Sequence, residues 1–178
     1  MMIDRYAEEA QKTANTKRVH DKFMHGWMGL IGESGEIVDI LKKLRFMGMN
    51  WPLAKEKLID EACDVMWYAV EYCRGAGMNF KGVVLDATVN FEQRHGMNGA
   101  PADLFPIALE ICRQACLLDG KQPPQERRII ITEIMTQLML LIDCCDVDAP
   151  YVMDRNIAKL RARYGETFDA NKSNARYQ

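Results

Sequence analysis

The sequence predicts an all-α helical bundle, and three observations support that prediction. Apolar residues recur at helical spacing through most of the 178 residues, whereas the alternating pattern of a half-buried strand is almost absent. Glycine, proline and asparagine divide the chain into segments of helical length. The apolar fraction of 48% is ordinary for a globular protein and fills one substantial core. We therefore expect residues 1–178 to form a single all-α domain.

Four helices are predicted in the first half, at about 3–13, 18–44, 52–74 and 80–95. Gly48 and Asn50 end the second of these helices, and Pro52 stands where the third begins. Gly75 and Gly77 supply the stop for the third helix, because glycine adopts the left-handed conformation that closes a helix.

Three more helices are predicted in the second half, at about 104–118, 125–145 and 151–164. The glycine-rich segment 96–101 is the best internal boundary. Beyond it the helical pattern restarts in the same order, which indicates a degenerate duplication with halves at 18–96 and 101–165. Chance similarity between amphipathic helices explains the same pattern equally well.

Two pairs of acidic residues stand three apart on neighbouring predicted helices: Glu33 with Glu36, and Glu61 with Asp64. That spacing places each pair on one side of its helix. A lone pair of this kind is usually a solvated surface, but the helix after Glu61 is apolar nearly all round and should be buried. Because ionised carboxylates on a buried helix destabilise the fold unless cations neutralise them, the four carboxylates predict a cation site.

Carboxylate oxygens alone select a hard cation, so the expected ion is Mg²⁺, with Mn²⁺ as an alternative. A ferritin-like di-iron site is the rival, and it typically adds a Glu-x-x-His motif on two of the helices. The three histidines, His20, His25 and His95, do not supply two such motifs. Magnesium commonly binds substrate phosphates through few protein ligands, which indicates phosphate chemistry.

Charge and hydropathy exclude several classes of partner. The formal charge of −2 and the lack of a dense Lys/Arg tract give no electrostatic footprint for polymeric nucleic acid. No segment approaches the roughly 18 consecutive apolar residues of a membrane span, so we expect no membrane partner. The first residues lack a basic leader followed by an apolar stretch, so we expect a cytoplasmic location.

The order of the four carboxylates resembles that of a known family. Glu33 and Glu36 lie in a run of small residues that His25 precedes by eight positions, and Glu61 and Asp64 follow on the next predicted helix. This pattern resembles the MazG-like all-α nucleoside triphosphate pyrophosphohydrolases, a superfamily that includes the dimeric dUTPases. The signature of that superfamily is Glu-x-x-Glu followed by Glu-x-x-Asp.

The resemblance covers about 20–72 and 152–164, and it implies a function. It implies hydrolysis of a nucleoside triphosphate to the monophosphate and pyrophosphate, at a Mg²⁺ site formed by the four carboxylates. Among these, Glu33 and Glu36 are the expected catalytic pair, with Glu36 as the first choice for the general base. A homodimer is also implied. On the closing helix, three residues are expected to approach the phosphates or the sugar: Asn156, Lys159 and Arg163.

A bound nucleotide base requires side chains against which it can stack. Trp27, Trp51 and His25 are candidates for stacking against it, and Tyr68 is a candidate for orienting a ligand. Tryptophans at helical spacing are more often core residues, and cations in a last helical turn are often there because the helix dipole favours them.

In the second half, the corresponding pairs read Glu110-x-x-Arg113 and Glu133-x-x-Thr136. Each pair keeps its first glutamate and loses its second carboxylate. We therefore expect one metal site per chain, in the first half, with the second half in a supporting role. The alternative function is a catalytically silent helical scaffold that binds nucleotides or another protein.

The sequence leaves open which terminal helix serves the metal site. Family members usually reach their closing helix soon after Glu-x-x-Asp, and here Asn90 and Arg94 stand at that place without the lysine. Residues 96–150 therefore either complete the site or only complete the bundle.

Overall fold

The computed structural model describes residues 2–14, 19–98 and 103–165, and over those ranges it contains helices and no strands. The seven helices are α1 (Ile3–Lys12), α2 (Lys22–Phe46), α3 (Trp51–Gly75), α4 (Phe80–Asn98), α5 (Leu104–Leu117), α6 (Pro124–Asp143) and α7 (Ala149–Tyr164). The predicted all-α fold is confirmed, and each predicted helix has a counterpart. Within the described ranges, every helix is too short or too polar to span a membrane.

Short polar side chains fix where the helices begin. The carboxylate of Asp21 accepts a hydrogen bond from the backbone N–H of Met24 at 2.9 Å, and Asn50 caps α3 in the same way. Each such cap stabilises a helix by about 1 kcal/mol. The cap at Asp21 explains why α2 begins at Lys22 and not at about residue 18, which lies outside the described residues.

α3 ends in a Schellman motif at Gly77, whose φ is +66°. The N–H of Met78 donates to the carbonyl of Cys73 at 2.7 Å, and the N–H of Gly77 donates to the carbonyl of Arg74 at 3.3 Å. These bonds satisfy the last carbonyls of the helix. Of the two glycines that were predicted to stop α3, Gly77 provides the left-handed residue.

Two helix pairs form the body of the protein. α2 packs against α3, α5 packs against α6, and the two pairs meet mainly through α2 and α5. The remaining helices are exchanged between the pairs, because α4 packs mainly on α6 whereas α7 packs mainly on α3. α1 contacts α7, α3 and α4. The first pair is therefore covered by α7, the last helix of the described residues.

α2 and α3 approach closely because glycines face α3. A Cβ atom built on Gly26 would lie 2.3 Å from the backbone nitrogen of Tyr72, and one built on Gly29 would lie 2.0 Å from the ring of Tyr68. Only glycine fits at either position without movement. As the residue number rises along α2, that of the partner on α3 falls, so the two helices run antiparallel.

α3 is buried along most of its length, as its apolar composition predicts. Leu58, Val65 and Met66 have no exposed surface, and they belong to a core that extends through both helix pairs. Glu61 and Asp64 are only partly buried. The two carboxylates therefore lie at the margin of the core, where an ion from solvent can reach them.

Candidate metal centre

Three of the four predicted carboxylates converge. One carboxylate oxygen each from Glu33 on α2 and from Glu61 and Asp64 on α3 lie within 4.8 Å of one another. Because α2 and α3 are antiparallel neighbours, the Glu-x-x-Glu segment of one helix lies opposite the Glu-x-x-Asp segment of the other. No other group of this kind is found among the described residues.

The cluster carries an excess of negative charge. Burial is the main cause that raises the pKa of Glu33 from 4.5 to about 7, and the nearby carboxylates of Asp64 and Glu61 raise it further. The pKa of Glu61 is also raised, first by burial and then by Asp64. A cation bound by these carboxylates would favour their ionised forms and lower both pKa values.

One cation from the protein reaches the cluster. Nζ of Lys159 on α7 lies 2.7 Å from Oδ1 of Asp64, and it also donates to the backbone carbonyl of Asp60 at 3.1 Å. Three carboxylates against one ammonium group leave two negative charges unmatched when all are ionised. α7, and not α4, therefore contributes the lysine to this cluster.

Arg155 fastens α7 to α3 beside the cluster. Its Nε and Nη2 donate to Oδ1 of Asp60 at 3.0 and 2.9 Å, and Nη2 lies 3.0 Å from Glu56. These charge-assisted bonds lie one turn before Lys159 on the same helix. The role of Arg155 could not be predicted from the sequence, because an arginine on a helix surface carries no local signal of its partner.

Glu36 lies outside the cluster. Its side chain is exposed, and its charge contributes to the raised pKa of Glu33 and of Glu61. It is therefore at the rim of the site, close enough to act on the carboxylates through its charge. That Glu36 also binds the ion stays a prediction.

The matching glutamates of the second half are neutralised by arginines. Glu133 on α6 accepts two hydrogen bonds of 2.7 Å from Arg94 on α4, and Glu110 on α5 accepts bonds of 2.8 and 2.7 Å from Arg113. The hydroxyl of Thr136 donates to the carbonyl of Thr132. Guanidinium groups thus hold the positions around these glutamates that a cation would need.

α4 also carries the one Glu-x-x-His sequence of the described residues, Glu92 to His95. Nε2 of His95 lies 3.2 Å from the carboxylate of Asp143 on α6, and Glu92 is exposed. Neither residue belongs to the carboxylate cluster. This motif therefore does not bring a histidine to the candidate metal centre.

Aromatic rings stand beside the cluster on α2 and α3. The rings of His25 and Tyr68 are 5.4 Å apart, and both rings pack edge-on against Trp67. The indole N–H of Trp67 donates to Thr13 Oγ1 at 3.1 Å, which anchors it to the end of α1. Nδ1 of His25 is buried without a hydrogen-bond partner among the described residues. His25 and Tyr68 are thus neighbours, as a shared ligand wall requires.

The other predicted substrate residues lie in different surroundings. The indole N–H of Trp27 donates to the carbonyl of Ala115 on α5 at 3.0 Å, so this tryptophan joins the two helix pairs. Trp51 is exposed at the start of α3. Arg163 is partly buried near the end of α7, where its guanidinium lies over the ring of Tyr164 at 5.9 Å.

Asn156 is fully buried beneath the surface of α7. Its Oδ1 accepts a hydrogen bond of 3.0 Å from the hydroxyl of Tyr6 on α1, whereas its Nδ2 has no partner among the described residues. Sequence analysis did not predict a role for Tyr6, which stands 150 residues away in the chain. Direct contact between Asn156 and a substrate stays a prediction, and it would require a change in this region.

Comparison with models of protein families, with curated proteins and with solved structures gives no match for this chain.

Proposed function

We propose that this protein is a Mg²⁺-dependent nucleoside triphosphate pyrophosphohydrolase, which converts a nucleoside triphosphate and water to the monophosphate and pyrophosphate. The observation that carries the proposal is the convergence of Glu33, Glu61 and Asp64 with Lys159, while arginines neutralise the matching glutamates of the second half. This is the asymmetry that one catalytic half and one supporting half would need.

The donor set suits a hard divalent ion. It consists of carboxylate oxygens alone, it is partly exposed, and its three carboxylates outnumber the one lysine that contacts them. In the proposal Glu33, Glu61 and Asp64 bind Mg²⁺ or Mn²⁺, with Glu36 as a fourth ligand at the rim. The bound ion would neutralise the triphosphate and lower the pKa of an attacking water.

The protein side chains then have separate tasks. Glu36 is the exposed carboxylate at the rim, so it is placed to accept a proton from water on its way to bulk solvent. An ion bound to Asp64 would displace Lys159, and the freed ammonium group would stabilise charge on the polyphosphate, together with Arg163. His25 and Tyr68 are assigned to the wall that contacts the nucleoside. Trp27 is assigned to packing only, because its N–H is engaged by Ala115.

The test is a nucleotide panel that uses the two halves as each other's control. The purified protein is incubated with canonical and modified nucleoside triphosphates and Mg²⁺, and the products are identified as pyrophosphate or phosphate. Glu33→Gln removes a carboxylate of the cluster, whereas Glu110→Gln changes the corresponding position of the second half. We expect pyrophosphate release with one or a few nucleotides, which is lost in Glu33→Gln and retained in Glu110→Gln.

Three outcomes would contradict the proposal. Release of phosphate would show cleavage at a different bond, and equal activity in Glu33→Gln would place the chemistry elsewhere. No product from any nucleotide, with Mg²⁺ or with Mn²⁺, would favour the catalytically silent scaffold.

A further inference from the structure

A buried hydrogen bond connects the first helix to the helix that contributes Lys159. The hydroxyl of Tyr6 donates to Oδ1 of Asn156 at 3.0 Å, and both side chains have 0% of their surface exposed. Tyr6 also lies near the cluster, since the negative charge of Asp64 helps to raise its pKa, although burial is the main cause. The hydroxyl therefore stays protonated and available as a donor.

The other end of the Asn156 amide is unsatisfied. Nδ2 is buried and has no acceptor among the described residues. A buried donor without an acceptor destabilises the fold, so such donors are rare in folded proteins. Asn156 stands three residues before Lys159, which places both side chains on the same side of α7. The unsatisfied donor is therefore on the side of the helix that faces α3 and the cluster.

We propose that Tyr6 is a positioning residue of the candidate metal centre, which acts through Asn156. By occupying Oδ1, Tyr6 fixes the rotation of the amide and presents Nδ2 as a donor to an oxygen atom that arrives with the ligand. That oxygen belongs either to a phosphate group or to a water molecule that the ion holds. The inference rests on the proposed function, because it needs a ligand at the cluster.

Ligand binding would require a change in the surroundings of Asn156. Asn156 has no exposed surface while Lys159 is engaged with Asp64. If an ion bound to Asp64 displaced Lys159, the side of α7 that carries both residues would be free to meet a ligand. Nδ2 should thus gain its acceptor only in the loaded site.

The Asn156 side-chain amide gives a direct readout by ¹⁵N NMR. Its pair of NH₂ resonances is assigned by their loss in Asn156→Ser, and the wild-type protein is titrated with Mg²⁺ and then with inorganic tripolyphosphate. We expect both resonances to shift and their exchange with water to slow. A response to Mg²⁺ alone identifies a water as the acceptor, and a response only after tripolyphosphate identifies a phosphate oxygen.

Tyr6→Phe tests the positioning role, and Tyr72→Phe is the matched control. Tyr72 is also fully buried, and the polar group beside its hydroxyl is the Arg127 guanidinium and not Asn156. We expect Tyr6→Phe to abolish the ligand-dependent shift and to lower turnover about tenfold, the effect of roughly 1.4 kcal/mol. Tyr72→Phe should respond as the wild type does.

The outcomes separate this inference from the proposed function. If calorimetry shows that Mg²⁺ and tripolyphosphate bind while the wild-type Asn156 resonances stay unchanged, the inference is wrong and the proposed function stands. The same holds if Tyr6→Phe and wild type give equal shifts. If neither ligand binds the wild type, both proposals fail. The wild-type titration decides the matter even if Tyr6→Phe does not fold.

Discussion

Lys159 donates to Asp64 across the interface between α7 and α3, with 2.7 Å between Nζ and Oδ1. The lysine comes from α7, and its partner lies 95 residues earlier in the numbering. Its ammonium group therefore supplies positive charge to the cluster. In the proposed function, this lysine would compete with a metal ion and would become available to a substrate once the ion had bound.

Replacing Lys159 should separate metal binding from catalysis. In Lys159→Met we expect the affinity for Mg²⁺ to be unchanged or higher, because a competing positive charge is removed. Turnover should fall about 100-fold, the usual effect of losing one group that stabilises transition-state charge. Calorimetry measures the first quantity and steady-state kinetics the second. Lys55→Met, which breaks a pair with the exposed Asp146, is the control and should change neither.

The neutralised glutamate of the second half should matter for stability and not for activity. Arg94 and Glu133 form two parallel hydrogen bonds of 2.7 Å, and Glu133 is largely buried. We expect Arg94→Ala to lower the free energy of unfolding by about 1–3 kcal/mol, because it leaves a partly buried carboxylate unpaired. Urea denaturation measures the change, and turnover at a temperature where both proteins are folded should be equal.

A second arginine pair between the same two helices is the control for Arg94. Arg128 on α6 lies 2.6 Å from Asp86 on α4, and the Asp86 side chain is 53% exposed, against 19% for Glu133, while the two arginines are exposed to a similar degree. Arg128→Ala should cost less than about 1 kcal/mol, as exposed ion pairs do. Equal losses of unfolding free energy in the two variants would contradict the prediction. They would show that the burial of Glu133 does not make its pair with Arg94 more important than an ordinary surface pair.

The close contact between Gly29 and Tyr68 predicts that a methyl group added at Gly29 would disturb the candidate site. A Cβ atom on Gly29 would lie 2.0 Å from the ring of Tyr68, so Gly29→Ala must displace that ring, whose centroid lies 5.4 Å from that of His25. We expect a loss of about 1–3 kcal/mol in stability, together with weaker nucleotide binding. Thermal unfolding and nucleotide titration check the two effects.

Gly32→Ala is the matched control on the same helix. A Cβ atom there has no heavy atom within 4 Å, and the residue is inside α2. Alanine should therefore stabilise the helix by up to about 1 kcal/mol and leave binding unchanged. A loss of binding in both variants would indicate that α2 as a whole, and not the ring of Tyr68, responds to the substitution.

The positions of the helices, and the proximity of Glu61 and Asp64 in the site, could be predicted from the local sequence. Helix ends are set by residues such as Asn50 and Gly77, whose effects act within a few positions. Glu61 and Asp64 lie on one side of α3 because their spacing matches a helical turn. Glu33 faces these two residues because only a short segment joins α2 to α3, so the two helices run antiparallel. The shortness of that segment can be read from the sequence.

Contacts between distant segments could not be predicted in this way. The choice of α7 over α4 as the partner of α3 is a property of the whole packing arrangement, and it decides that Lys159 reaches Asp64 while Arg94 reaches Glu133. The hydrogen bond from Tyr6 is of the same kind. Neither a tyrosine in an amphipathic helix nor an arginine on a helix surface carries a sign of its partner.

The raised pKa of Glu33 predicts how pH links metal binding to stability. Its folded value is about 7 against 4.5 for the free side chain, so between these values the folded protein holds more protons than the unfolded chain. Without metal, the free energy of unfolding should therefore fall as the pH rises from 5 to 7. Carboxylates with lowered pKa values, such as Asp39 and Glu133, titrate below this pH range and do not offset the fall. Because Mg²⁺ needs the ionised carboxylate, its dissociation constant should rise about tenfold per pH unit below 7. Thermal unfolding and calorimetry between pH 5 and 8 check both slopes, which Glu33→Gln should reduce; metal-free stability that rises with pH in that interval would contradict the prediction.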